Sequence, residues 1–261
     1  MCHTSRRGIF IKHNPNRTGN KKMKLKSLAL AVTSLISINA MAVTIDYRHE
    51  MKDTPKNDHR DRLLISHRFA NGFGLSVEAK WKNGEPSQET TPNKPYHETV
   101  SNGTEVVASY VYNFNKTFSI EPGFSLDSSS SSNNYRPYLR GKVNITDDLS
   151  YSLRYRPYYL RKSSNIGGSN HTQENGYNLT GTLTYKFLKD FQIDYEMDYK
   201  KANKAGAYQY DNETYNIDHD IKLGYKLDKN WKPFIAVGNV AQDGKSDHRQ
   251  TRYRVGVQYN F

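Results

Sequence analysis

The sequence predicts an all-β chain, a twelve-stranded antiparallel transmembrane β-barrel of the outer-membrane type. Three observations predict it. Residues 43–261 alternate apolar and polar side chains again and again and show no sustained helical period. The connections between the alternating runs switch regularly between short and long, and an export segment precedes the first run.

The export segment comes first in order. Met23-Lys24-Leu25-Lys26 is a charged start, Ser27 to Ile38 is apolar, and Ala40-Met41-Ala42 fits the small-x-small cleavage rule. Residues 23–42 therefore read as a signal peptide, too short in its apolar part for a membrane anchor, which needs about 18 apolar residues. Residues 1–22 read as an upstream extension with no fold of its own, and 43–261 as one barrel domain.

Twelve strands are expected, at about 43–51, 60–69, 73–82, 103–114, 117–126, 135–145, 149–160, 176–187, 190–200, 214–227, 231–240 and 250–261. Short connections (70–72, 115–116, 146–148, 188–189, 228–230) take turns with long polar ones (83–102, 127–134, 161–175, 201–213). An even strand count with tight turns at one end and long loops at the other is the pattern of an outer-membrane barrel.

The faces of the strands agree. On the last run Tyr253, Val255, Val257, Tyr259 and Phe261 share one side, while Arg252, Arg254, Gln258 and Asn260 share the other. One side suits lipid and the other water. Tyrosines recur near strand ends (Tyr110, Tyr112, Tyr151, Tyr185, Tyr225, Tyr259 among them), as interfacial girdles require. A soluble sandwich would instead show Val/Ile/Leu-rich faces packed on each other and protected edges. The terminal Phe261 behind alternate apolar residues is the ending that barrel-assembly machinery is thought to read.

Composition removes other classes. The 261 residues carry 38 Lys+Arg against 26 Asp+Glu. Eight of those bases and none of the acids lie in residues 1–42, which leaves 30 against 26 and a net of +4 for the barrel. Basicity is thus no argument for nucleic acid, and no recognition-helix or zinc-ligand pattern supports it. Cys2, the single cysteine, lies ahead of the barrel, so disulfides, thiolate metal sites and cysteine catalysis drop out.

Several strings carry a resemblance: Ile45-Asp-Tyr-Arg-His-Glu-Met51, the run from Asp61 to Leu75, Asn134-Tyr-Arg-Pro-Tyr-Leu-Arg-Gly141, and Gln250-Thr-Arg-Tyr-Arg-Val-Gly-Val-Gln-Tyr259. With them the chain closely resembles the KdgM family of oligogalacturonate-specific porins, over essentially all of residues 43–261. The resemblance implies a monomeric twelve-stranded barrel in the outer membrane of a Gram-negative bacterium, passing acidic oligosaccharides.

Geometry adds the channel. Twelve strands about 4.8 Å apart and tilted by about 40° close at a radius of roughly 12 Å, which leaves a lumen on the order of 10 Å across. The inward set follows from alternation: Arg48 on the first strand, Arg62 and Arg68 on the second, Arg136, Tyr138, Arg140 and Lys142 on the sixth, Arg154, Arg156 and Tyr158 on the seventh, and Arg252 and Arg254 on the last. In a closed ring the sixth and seventh strands lie opposite the twelfth and first, so two basic stripes face each other. Acids take the remaining walls: Asp194, Glu196 and Asp198 on the ninth strand, Asp218 and Asp220 on the tenth, and Glu78, Glu105 and Glu121 on strands three to five.

A guanidinium presents a planar fork that can hold a carboxylate bidentately, and several moderate sites in sequence let an anion enter and still leave. The reading is passive uptake of acidic oligosaccharides along two arginine tracks, oligogalacturonates by the resemblance, with Tyr138 and Tyr158 available to stack on sugar faces. Another acidic sugar, such as sialic acid or a different uronide, stays open. The bland alternative is that these arginines only balance the inward acids.

An enzyme is disfavoured, since no histidine has a serine and an acid fixed nearby by spacing. The runs Asp58-His59-Arg60-Asp61 and Asp218-His219-Asp220 read as solvated strand ends rather than metal sites. An adhesin acting through its loops finds little support in Ser/Asn/Gly-rich segments such as Ser128–Ser132. The expected partners are an acidic oligosaccharide, outer-membrane lipid and lipopolysaccharide, and the assembly machinery through Phe261. No cofactor, metal or nucleic acid is expected.

Overall fold

A computed structural model describes residues 43–54, 57–83, 93–163 and 174–261. The expected signal peptide and upstream extension lie outside the described residues, as do parts of the loops expected at 83–102 and 161–175.

The described chain is all strand: β1 Val43–Lys52, β2 Asp58–Arg68, β3 Phe73–Asn83, β4 Thr99–Tyr110, β5 Tyr112–Asn113, β6 Phe118–Ser128, β7 Ser132–Asn144, β8 Leu149–Lys162, β9 Glu174–Phe187, β10 Phe191–Ala202, β11 Tyr215–Tyr225, β12 Trp231–Ala241 and β13 Arg249–Asn260. Apart from β4 and β5, which both pair with β6, each strand pairs antiparallel with its sequence neighbours, and β1 pairs with β13 from Thr44↔Asn260 to Lys52↔Arg252. The sheet therefore closes on itself. Its thirteen labelled strands make twelve staves, because the expected strand 103–114 breaks at Val111 into β4 and β5, and both halves pair with β6.

One connection differs from expectation for a visible reason. The segment expected as a long loop at 127–134 is a tight hairpin of Ser129–Ser131, with Ser128 opposite Asn133. The Ser129 hydroxyl accepts from the Ser132 amide at 3.2 Å, so serines that read as loop composition instead satisfy a turn. At the opposite end of the barrel, Asp228 accepts from the amides of Asn230 and Trp231, both at 2.7 Å, and these bonds hold its carboxyl below the ordinary aspartate range.

Prolines mark one weak line in the wall. Pro137 and Pro157 lie on facing strands, and the β7–β8 ladder skips from Tyr135↔Tyr159 to Leu139↔Tyr155. A proline has no amide hydrogen to give a ladder, so pairing lapses where the two meet.

The outward face is apolar and exposed, from Leu75, Val77 and Val106 round to Leu153, Leu183, Ile221, Ile235 and Val255. Aromatic rings gird it at the short-turn end, where Tyr112–Phe114–Phe118, Tyr185–Phe187–Phe191–Tyr225 and Trp231–Tyr259–Phe261 form contact chains. A shorter ladder, Tyr155–Tyr177–Tyr199–Tyr215, runs round the other half of the wall. A lipid-facing band edged by aromatic girdles is what a membrane barrel requires.

The inward face is packed by side chains laid against small residues. A Cβ at Gly123 would meet the Tyr138 ring within 2.5 Å, and one at Gly256 would meet the Phe234 ring at 2.4 Å. Glycine on the wall makes room for a neighbour's ring.

Candidate functional site

The lumen is built by register. Pairing sets Arg48 beside Arg62, Glu50 beside Arg254, Lys52 beside Arg252, and Arg140 beside Arg154. In the ring of twelve staves, β7 and β8 stand six positions from β13 and β1, as the closed ring requires.

Most of the expected arginines hold carboxylates. Arg62 reaches Asp46 at 2.7 Å and Glu78 at 3.2 Å, and Arg68 reaches Glu121 at 2.9 Å. Arg136 bridges Glu105 at 2.8 Å and Asp127 at 3.3 Å, while Arg140 shares Glu121 at 3.2 Å. Arg252 and Arg254 both grip Asp220, and Arg48 has only a looser contact with Glu50 at 3.7 Å.

Arg154 and Arg156 are different. Among the described residues neither has a carboxylate at salt-bridge distance, and the same holds for Lys142; Arg154 has only the Thr180 hydroxyl, to which it donates at 3.3 Å. Two guanidinium groups two residues apart on β8 thus face the lumen with their charge uncompensated by a direct partner. The bland alternative, arginines that only balance acids, describes Arg62, Arg68, Arg136, Arg140, Arg252 and Arg254 but not this pair.

Tyr138 and Tyr158 point inward but present little ring. They are 9% and 3% exposed, and their hydroxyls donate to Glu121 at 3.2 Å and Glu174 at 2.5 Å. Arg140 lies over the Tyr138 ring and Lys200 over that of Tyr158. A sugar could stack on either ring only after displacing the cation above it.

Alternation also marks inward lysines that the sequence reading passed over. Lys80 pairs with Asp127 at 2.6 Å, Lys222 with Asp194 at 2.9 Å, and Lys232 donates to Gln192 at 2.9 Å. The same parity that gave the arginines gives these residues, and attention to guanidinium chemistry hid them.

Two cavities occupy the lumen, about 840 and 580 Å³, and both are lined by Arg62, Leu64, Glu121 and Arg140. Side chains of β2, β6 and β7 thus partition the space. The smaller cavity also takes in Arg154 and Arg156, the larger Lys142, Glu196 and Arg254. An anion in the lumen would meet cations on several walls, which suits passage more than tight retention.

The histidines lie elsewhere. His49, His59 and Asp61 are on the outward face of β1 and β2, where Tyr47 and His49 donate to Asp61 at 2.7 and 2.9 Å and His49 meets His59 at 3.2 Å. The Tyr96 ring packs tilted against His49, and His59 and Asp61 are only 5% and 8% exposed. Within the run 58–61, His59 and Asp61 are therefore covered rather than solvated, because an outward carboxylate beside lipid needs partners, while Asp58 and Arg60 pair with each other at 2.7 Å and stay partly exposed. His219 is also outward, with the Tyr195 hydroxyl at 2.9 Å, and His171 lies outside the described residues. Among the described residues no group of three or more His, Cys, Asp or Glu could hold a metal ion.

A closed antiparallel barrel with a lipid-facing belt and a charged, open lumen is an outer-membrane channel of the porin class. Comparison with known proteins narrows this. The family described as oligogalacturonate-specific porin protein (KdgM) matches residues 36–261, and the chain belongs to that family. It is 64% identical over 239 residues, 92% of this chain and all of the relative, to the oligogalacturonate-specific porin KdgM of Dickeya dadantii (strain 3937). The N-acetylneuraminic acid outer membrane channel protein NanC of Escherichia coli (strain K12) is 23% identical over 248 residues, 92% of this chain and all of the relative. Among solved structures, a KdgM porin in complex with disordered oligogalacturonate matches at a TM-score of 0.62 and 57% identity, covering 84% of this chain and 99% of the other. The family is one of outer-membrane channels and not of enzymes.

Proposed function

We propose that this chain carries oligogalacturonates passively across the outer membrane, and that its lumen arginines guide them, with Arg154 and Arg156 as the principal carboxylate contacts. The observation that carries the reading is the absence of a carboxylate partner for these two among the described residues, when the other arginine pairs are engaged. A galacturonate oligomer bears a carboxylate on every ring, and a free guanidinium can take it bidentately without first giving up an internal salt bridge. The paired arginines contribute positive potential and hold the wall's shape. Identity of 64% to a porin named for oligogalacturonate supports that substrate over the sialic acid of the 23% relative.

The test is current block in planar bilayers. Trigalacturonate should interrupt the single-channel current at concentrations where the neutral trisaccharide maltotriose does not. Equal block by the two would contradict the reading, because size alone would then account for it.

A further inference from the structure

Two of the three carboxylates of β10, Glu196 and Asp198, stand apart from the other lumen acids. Asp46, Glu121, Asp194 and Asp220 each have a lysine or arginine at salt-bridge distance, whereas Glu196 and Asp198, among the described residues, have none. Asp198 accepts from Thr180 at 2.5 Å and from Asn178 at 2.7 Å, and Glu196 has only the Thr182 hydroxyl at 3.5 Å. Two anions without a cation thus share a wall with two cations without an anion.

Register fixes their spacing. Arg154 is beside Thr180, which is beside Asp198, and one step along Ser152, Thr182 and Glu196 make a parallel row. Arginine and carboxylate therefore sit two strand spacings apart, roughly 10 Å at the backbone. Between them β9 offers only the short polar side chains of Asn178, Thr180 and Thr182, a polar ledge in which Asn178 and Thr180 are themselves covered and Thr182 lines the larger cavity. The salt bridge that would close it is absent: Arg154 donates to Thr180, and Asp198 accepts from that same threonine.

A ledge with cations on one edge and acceptors on the other complements a ring that carries a carboxylate on one side and hydroxyl donors on the other. We propose that Glu196 and Asp198 are specificity residues that accept hydrogen bonds from the ring hydroxyls of a uronate whose carboxylate rests on Arg154 and Arg156. The proposal rests on the arginine reading given above. A hydroxyl bonded to a carboxylate is a charge-assisted donor and stronger than one bonded to a neutral acceptor. The same carboxylates repel an anion that has no hydroxyl to offer, so one pair of residues both favours the sugar and disfavours simple polyanions.

The experiment compares current block by trigalacturonate and by propane-1,2,3-tricarboxylate, which also has three carboxylates but no hydroxyl. It uses the full-length barrel, the variant Glu196→Ala/Asp198→Ala, and Arg154→Gln/Arg156→Gln. Removing the two acids should tighten tricarboxylate block several-fold through lost repulsion and weaken trigalacturonate block, so that the affinity ratio between them changes by at least tenfold. If both anions tighten by the same factor while the arginine variant loses block by both, the hydroxyl contact is wrong and the arginine reading survives. If neither anion blocks the unmodified barrel, or the arginine variant is blocked as well as the unmodified barrel, both fall.

Discussion

Arg154 and Arg156 differ from the other lumen arginines in what they lack rather than in where they point. A guanidinium already bonded to Asp220 or Glu121 must exchange one carboxylate for another to bind substrate, and the exchange gains little. A free one gains a whole charge-assisted contact. Replacing both by lysine keeps the charge but loses the fork, so Arg154→Lys/Arg156→Lys should retain anion preference while trigalacturonate block weakens about tenfold, the equivalent of one lost charged hydrogen bond of about 1.5 kcal/mol. Titration of block in planar bilayers measures it; unchanged block would show that charge alone suffices. Inward direction was legible in the sequence for every one of these arginines, because alternation fixes the face. Which of them stand free was not, since salt-bridge partners come from strands far apart in the chain, as in Arg68 with Glu121.

At the level of the strands, the wall depends on small residues beneath large ones. Gly123 lies opposite Tyr138 in register, and the ring covers the place a Cβ would take. Gly123→Ala should displace Tyr138, break its bond to Glu121, and destabilise the barrel by about 1–3 kcal/mol, the usual cost of overpacking. In a Tyr138→Ala background the same glycine change should cost almost nothing, and urea unfolding in lipid vesicles across the four proteins gives the coupling. Twelve staves were readable from periodicity, as were the short-turn ends. The break at Val111 and the hairpin at Ser129–Ser131 were not, because serine composition serves a tight turn and a long loop equally well. The outward His49–His59–Asp61 cluster was also hidden, since Tyr96, which packs on it, is 35 residues further along the chain than Asp61.

As a whole the barrel is a nearly balanced object with an unbalanced wall. Its residues 43–261 carry a net of only +4, yet pairing leaves free guanidinium groups on β8 and free carboxylates on β10. Transport by such a channel relies on local complementarity more than on total charge. The direct measurement is the reversal potential in planar bilayers under a potassium chloride gradient, for the unmodified barrel and for Arg154→Gln/Arg156→Gln. The account predicts an anion-selective potential in the first and its collapse toward zero in the second. An unmodified barrel that shows no anion preference, or a variant that keeps it in full, would contradict the claim that these two arginines guide the substrate.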